Sequence, residues 1–474
     1  MQKVVILSFI MKNNWIIIGI FAVFGLFGSC GNNSKENGIA KPVFDLHIEP
    51  IITENCAPCH RENGGAPFVL TSYENVRKKA KTIAKVTALR YMPPWPADPS
   101  YSHFIGEKRL TESQIQTIQN WVEQGCAPGK NPNRLLSKVK PFESALGTPD
   151  YVMYLDSVVL NQGDEDRFFL MKTSAQLPQK TYIRAVELVP DQRQVMHHFN
   201  GHLINYAPGS KSNFNTNPLK VEITPNVSKS QKADLDLMAD NGITPERVHS
   251  VVNYLPGVIG TMYPEGIGTF EVSPQFSIIG NDVHYGPSAK TRVDRSKINL
   301  FFTKIPPKRG LGELMLGTNG VSKIEPPLVV PANKITRHKT QFVVPEDISV
   351  LTVNPHLHLL GKSITAYAVK PNGDTIPLIR ILKWDFRWQY FYTYEKMLKI
   401  PRGSKIEVIA EFDNTRNNPF NPFNPPRTVA ERFEYGGSSM KATDEMFQFI
   451  ITFLGYQPGD EKISLKPDGN SINR

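Results

Sequence analysis

The chain has 474 residues, of which 40% are hydrophobic and 21% charged, with a formal net charge of +10 and four cysteines. That length suits two to four domains, and the composition is that of a globular chain and excludes a disordered one. The positive charge is spread thinly, without a long Lys/Arg run, which argues against a nucleic-acid surface and fits solubility with mild attraction to acidic partners or anionic membrane.

Residues 1–29 read as a signal peptide. Lys3 or Lys12 supplies the positive end, Trp15 to Phe27 the apolar run, and LFGSC places small residues just before Cys30. This is the pattern for cleavage before Cys30 and lipidation of its thiol. A retained signal anchor is the alternative, but the run is on the short side for a span. Met11, heading MKNN, is a more ordinary start than Met1. Residues 30–43, with GNNSKENGIAK, form a polar tether. No later segment is long and apolar enough to cross a bilayer. The expected location is the membrane of a Gram-negative bacterium, lipid-anchored and facing the periplasm or the cell surface.

Residues 44–129 form a helical block. SYENVRKKAKTIAKVTAL and TESQIQTIQNWVEQG have helical apolar spacing, and Thr111 with Gln114 can form a capping box. NCAPCH, at 55–60, is the c-type haem attachment pattern. Cys56 and Cys59 would form the thioethers, and His60 would ligate the iron. Half a zinc site is the competing reading, but zinc needs two more ligands at close spacing and none follows. Met92 in RYMPPW is the candidate sixth ligand, held by the two prolines after it; an ordinary core methionine is the alternative. The block resembles a small class-I cytochrome c domain, which implies an all-α fold around one covalent haem c. His47 and His103 read as surface or haem-edge residues, and Cys126 receives no role.

After Pro149 the texture changes to short β-rich runs such as TYIRAVELV, FNGHLINYA and SKINLFFTKI, separated by turn residues. PPKRGLGELMLGTNG reads as a second boundary, and ITAYAVKPNGDTIPLI as a hairpin over Asn372–Gly373. The expected β domains are 149–312 and 325–458, with 459–474 as a tail.

Five histidines stand in tight settings: His197 and His198 in VMHHF, His284 in NDVHYGP, and His356 and His358 in NPHLHLLGK. Residues two apart on a strand share a face, so His356 and His358 can reach one point, as metal ligands or as two core histidines. Adjacent residues point to opposite faces. His197 and His198 therefore share a metal only at a bulge or strand end, and otherwise bond separately. His202 lies on the face of His198 and reads as a supporting residue, although it could replace one of the doublet. Asp282, two before His284, is placed to orient that imidazole from behind. His249 and His338 are expected to face solvent. Met446, in SSMKATDEMFQF, is a further soft donor or a core residue.

HH, then VHYG, then HxHxLGK, then DEM, in this order over about Pro149 to Tyr456, resembles the copper type II ascorbate-dependent monooxygenases of the peptidylglycine α-hydroxylating and dopamine β-hydroxylating type. The resemblance implies two tandem β-sandwich, jelly-roll-like domains with one copper each. It implies that His197, His198 and His284 hold an electron-passing copper, and that His356, His358 and Met446 hold the copper at which dioxygen and substrate meet. A thioether favours Cu(I), the form that meets dioxygen. Peptide-amidating members carry an arginine two before HxH and a tyrosine four after the ligand methionine. Here these positions are Asn354 and Ile450. Without the guanidinium fork a carboxylate loses its bidentate partner, so a peptide C-terminus is not the expected substrate.

The expected architecture is therefore multidomain, with a small all-α cytochrome c domain followed by two all-β copper sandwiches. The expected activity is hydroxylation of a C–H bond of a small organic substrate with dioxygen, electrons passing from haem to first copper to second. A reduced cytochrome, a quinol-linked donor or a small reductant would supply them. The alternative is an exported haem/copper electron-transfer or copper-binding lipoprotein with no substrate of its own. Nucleic acid is not an expected partner.

Overall fold

The structure is a computed structural model and describes residues 39–466, except 140–142, 145, 214–215, 217–218, 224–234, 255–259, 264–265, 268 and 433–442. The signal peptide, Cys30, most of the tether and the end of the tail lie outside the described residues. Among the described residues, no helix is long and apolar enough to cross a membrane.

Two antiparallel β-sandwiches dominate. In the first, one sheet orders Tyr151–Tyr154, Lys297–Thr303, Thr181–Val189 and Thr261–Met262, with Phe270–Val272 also on Thr181–Val189. The facing sheet orders Lys220–Glu222, Arg167–Gln176, Gln275–Tyr285, Met196–Tyr206 and Glu246–Tyr254. In the second sandwich, one sheet orders Gly312–Gly317, Phe447–Gly455, Ile348–Leu357 and Tyr392–Ile400. The other orders Ile324–Glu325, Ile335–Val343, Lys405–Asp413, Gly361–Val369 and Thr375–Ile381. Gly312–Gly317, read from sequence as linker, is thus a strand of the second sandwich.

Lys405–Asp413 shows how the sequence makes these layers. In KIEVIAEFD, Ile406, Val408, Ala410 and Phe412 are fully buried while the residues between them are not. A period of two puts one set on the core face. Each larger side chain contributes about 1.5–3 kcal/mol on burial. The hairpin expected over Asn372–Gly373 forms, with Val369 opposite Thr375 and Gly373 at φ 90°, a backbone conformation glycine adopts without strain. Ile348–Leu357 is instead buried on both faces. Its inner residues Val350 and Val353 join the sandwich core. On the outer side, Leu351 packs with Leu454, Met397 and the partly buried Tyr263 and Ile267 of the first sandwich. The outer face of this sheet is therefore an interface between the two sandwiches.

The expected small all-α cytochrome c domain is corrected by the structure. The described part of the segment holds only three α-helices, α1 (Glu49–Asn55), α2 (Tyr73–Ala88) and α3 (Glu112–Glu123), besides a five-residue π-turn before α1 and a short 3-10 turn at Leu136–Lys138. The protein as a whole is mostly β. The helices share a core around Phe44, Val76, Ile118 and Trp121, but the stretch between α2 and α3 leaves it. Pro93, Pro94, Pro96 and Pro99 lack amide donors and prevent helix between α2 and α3. The chain there runs as an extended arm whose Ala97 and Phe104 belong to the second sandwich's core. Ala97 bridges Ile381, Phe104 bridges Tyr394, and Arg380 pairs with Asp98 at 2.8 Å. The helices keep the local features read from sequence: Ser72 caps α2, and Thr111 with Gln114 forms both halves of the box on α3. Two buried carboxylates tie the segment's ends together. Asp45 accepts from the amides of Lys130 and Asn131, and Glu49 from those of Leu135 and Leu136.

Candidate functional site

His197 and His198 begin Met196–Tyr206, and His284 lies at the end of its neighbour Gln275–Tyr285. In the register His284 faces His198, but the next residue, Tyr285, faces Met196. His197 is the extra residue of a bulge. A bulge rotates the local chain, so the two adjacent histidines converge rather than diverge. One ring nitrogen from each of His197, His198 and His284 lies within 4.8 Å of the others.

The hydrogen bonds behind these rings determine which nitrogen is left. His284 Nε2 donates to Asp166 Oδ1 at 2.6 Å, and its buried Nδ1 has no hydrogen-bond partner. His198 Nε2 pairs with Asp282 Oδ2 at 3.0 Å. Nδ1 of His197 is also buried without a hydrogen-bond partner. Each ring thus has a nitrogen to spare near one point, and three imidazoles are a donor set that copper or zinc accepts. Burial lowers the pKa of His197 to about 3, helped by the neighbouring His284 and His198, and lowers that of His284 as well. Both rings are neutral near pH 7, the form that binds metal. Asp282 backs His198, not His284 as the sequence spacing suggested. Asp166, which backs His284, carries no signal in the sequence because it lies 118 residues away. His202 is buried on the same sheet face as His198, outside the cluster.

The second group lies on the outer face of the interface sheet of the second sandwich. His356 ends Ile348–Leu357 opposite Gln448, and His358 begins the following turn. Their ring centroids are 5.1 Å apart. Here the backing bonds are on the other nitrogen. His356 Nδ1 donates to Gln389 Oε1 at 2.5 Å, and His358 Nδ1 donates to the Asp444 carbonyl at 3.1 Å. Nε2 is left on each. Burial drives His356 down to about 4 and His358 to about 3. Met446, two residues past Asp444, is buried, and Glu445 between them accepts from the Leu360 amide at 3.1 Å. The 444–446 stretch is thereby held against the His358 turn. If the Met446 thioether joins the two imidazoles, the set is softer than three imidazoles.

The two groups face each other across the sandwich interface. Phe386 lies between them, stacked on His197 at 5.4 Å and edge-on to His358 at 5.6 Å. Asn354 and Ile450 are opposite one another on the same outer face as His356. The Asn354 amide donates to the Tyr390 carbonyl at 2.9 Å, so its polar group is used internally. His338 is not solvent-facing: it is buried and bonds to the Pro326 carbonyl and Thr336. His249 lies on Glu246–Tyr254.

Cys56 caps α1, and the helical turn continues through it, with the His60 amide donating to the Cys56 carbonyl at 2.9 Å. Both thiols are free. Burial, aided by Cys59, pushes the Cys56 thiol up to about 12. His60 Nδ1 donates to the Phe68 carbonyl at 2.9 Å, which leaves Nε2 as the nitrogen available to a metal. Met92 lines a cavity of about 260 Å³ with Trp95, Lys108, Leu110 and Ile115. Lys108 is close enough to Cys59 to interact with it electrostatically and lies over the Tyr390 ring at 5.1 Å.

Residues 310–421 match the family model for the copper type II ascorbate-dependent monooxygenase, C-terminal domain. The matched stretch contains His356 and His358 and stops before Met446. The family is one of copper-dependent monooxygenases, which supports copper as a metal for this chain. Among solved structures, the chain is similar to the infectious bursal disease virus VP2 subviral particle, at 9% identity over 69% of this chain and 76% of that one, with a TM-score of 0.16. It is also similar to the cowpea mosaic virus top component, at 7% identity over 71% and 99%, with a TM-score of 0.20. A third similarity is to PNGF-II, at 9% identity over 66% and 64%, with a TM-score of 0.17. Overlaps this poor carry no argument about function.

Proposed function

We propose that the protein is a haem-linked copper monooxygenase. It hydroxylates a C–H bond of a small organic substrate with dioxygen, electrons passing from haem c to a first copper at His197, His198 and His284, and then to a second at His356, His358 and Met446. The observation that carries this reading is the pairing of two histidine groups across one phenyl ring, with His284, His198, His356 and His358 each held by a partner on one nitrogen and with His356 and His358 inside the matched stretch. Bound copper would supply one-electron exchange at His197, His198 and His284 and, held by His356, His358 and Met446, the reducing equivalent for dioxygen.

The chain's own residues set the conditions. Asp166 and Asp282 hold protons on Nε2 of His284 and His198, while Gln389 and the Asp444 carbonyl hold them on Nδ1 of His356 and His358. Phe386 keeps the ground between the groups apolar. Asn354 and Ile450 present no cation beside His356, which favours a substrate without a carboxylate near the reacting carbon. For the haem, Cys56 and Cys59 would form the thioethers, and His60, backed by the Phe68 carbonyl, and Met92 would be the residues to hold the iron. Lipidation at Cys30 and export to the periplasmic or outer face of a bacterial membrane complete the proposal.

Rapid mixing tests it. Dioxygen added to the fully reduced chain should oxidise the haem quickly with copper loaded and slowly after copper is removed. Haem oxidation indifferent to copper would contradict the relay.

A further inference from the structure

One short segment touches every part of this arrangement. Leu382–Tyr390 links Thr375–Ile381 to Tyr392–Ile400 and crosses the interface. Its Trp384 amide donates to the Lys362 carbonyl at 2.8 Å, just after the His358 turn. Phe386 lies between His197 and His358. Arg387 lies over the Tyr91 ring at 5.5 Å, next to Met92. Gln389 is buried, with Nε2 donating to the Phe386 carbonyl at 2.8 Å and Oε1 facing His356 Nδ1. Tyr390 is buried too. Its hydroxyl donates to the Pro94 carbonyl at 3.1 Å, its ring stacks on Trp95 at 5.7 Å, and its carbonyl accepts from Asn354.

The Gln389 amide has no freedom to turn over. Its NH₂ is committed to a carbonyl, so its oxygen must be the group that meets His356. The imidazole must then carry its proton on Nδ1 and keep its lone pair on Nε2. The adjacent residue is bolted to the Met92–Trp95 loop.

Resting on the copper reading above, we propose that Leu382–Tyr390 is a coupling strap: Gln389 is the positioning residue that sets the metal-facing nitrogen of His356, and Tyr390 makes that hold depend on the Met92–Trp95 loop. By linkage, whatever orders the loop strengthens metal binding at His356 and His358, and metal bound there orders the loop.

The test measures Cu(I) affinity of the full-length, haem-containing chain by competition with a colorimetric chelator, with the electron paramagnetic resonance spectrum of the Cu(II) form alongside. Gln389→Leu removes the acceptor and should weaken one of two copper sites by about 10- to 100-fold, the usual effect of losing a group that orients a ligand. The other site should be untouched. Gln389→Glu gives up the bond to Phe386 but keeps an acceptor on His356, and should restore affinity. Tyr390→Phe, which removes only the hydroxyl, should weaken the same site by about fivefold, the lower end of ordinary site coupling. Gln389→Leu with wild-type affinity and spectrum would overturn the strap while leaving the copper reading intact, as would Gln389→Glu failing equally with Gln389→Leu. A wild-type chain that binds no copper at the second site would instead overturn the functional reading and the strap with it.

Discussion

His198 faces His284 across adjacent strands, their ring centroids 5.1 Å apart, because a second bulge upstream shifts the register between Gly280 and Asp282. Gly280 opposes Gly201, and both lie against the Phe199 ring; a Cβ on Gly280 would come within 2.6 Å of Val283 and 2.7 Å of Phe199. Gly280→Ala should therefore cost about 1–3 kcal/mol through overpacking. It should also weaken copper at the first group, since Asp282 and His284 follow directly. Chemical denaturation and copper titration of the same variant check both effects together. A variant as stable as the parent would show that the close approach is unimportant.

Asp166 and Asp282 act through the rings they hold. Asp166→Asn and Asp282→Asn should each lower first-site copper affinity by about 10- to 100-fold and leave the second site unchanged. Competition titration resolves the two sites. Equal weakening of both would refute the separate backing seen here.

Stability of the copper-free chain should depend on pH with a fixed sign. His356 and His358 titrate at about 4 and about 3 in the folded chain, against 6.5 for a free histidine. Between these values the unfolded chain takes up protons that the folded chain refuses, so stability falls as pH falls from 6.5 towards 4. Each such histidine contributes a slope of up to about 1.4 kcal/mol per pH unit. Urea midpoints at pH 7 and pH 5 measure this. A copper-free chain no less stable at pH 5 than at pH 7 would contradict the burial of these rings.

Some of this was legible in the sequence. The α2 and α3 helices, the capping box of Thr111 and Gln114 and the hairpin at Asn372–Gly373 follow from local propensity. The need for a bulge at His197–His198 follows from strand geometry alone. The partners behind the rings do not. Asp282 lies diagonally across from His198 and pairs with it, while Asp166 takes the Nε2 of His284, an exchange of partners that spacing along one strand does not show. Asp166 and Gln389 come from loops and strand ends whose proximity only the tertiary fold creates. Helical periodicity around CxxCH suggests a separate all-α domain because it does not reveal that the proline-rich arm between the helices packs into the second sandwich's core. His338 is buried because, between Arg337 and Lys339 on the strand, it takes the opposite, inward face.

Haem attachment has its own test. Cys56→Ala and Cys59→Ala should each lose one thioether, and the double variant should lose covalent haem altogether, read by haem staining of the denatured chain and the pyridine haemochrome spectrum. A parent chain that carries no covalent haem would remove the haem from the account and leave the copper groups standing.

The central claim is that the two histidine groups are separate copper centres. Copper content per chain, measured on the full-length protein by mass spectrometry of the metal, addresses this most directly. Two coppers are expected in the parent, one in His284→Ala and one in His356→Ala. A single copper lost together in both variants, or zinc in place of copper, would contradict it.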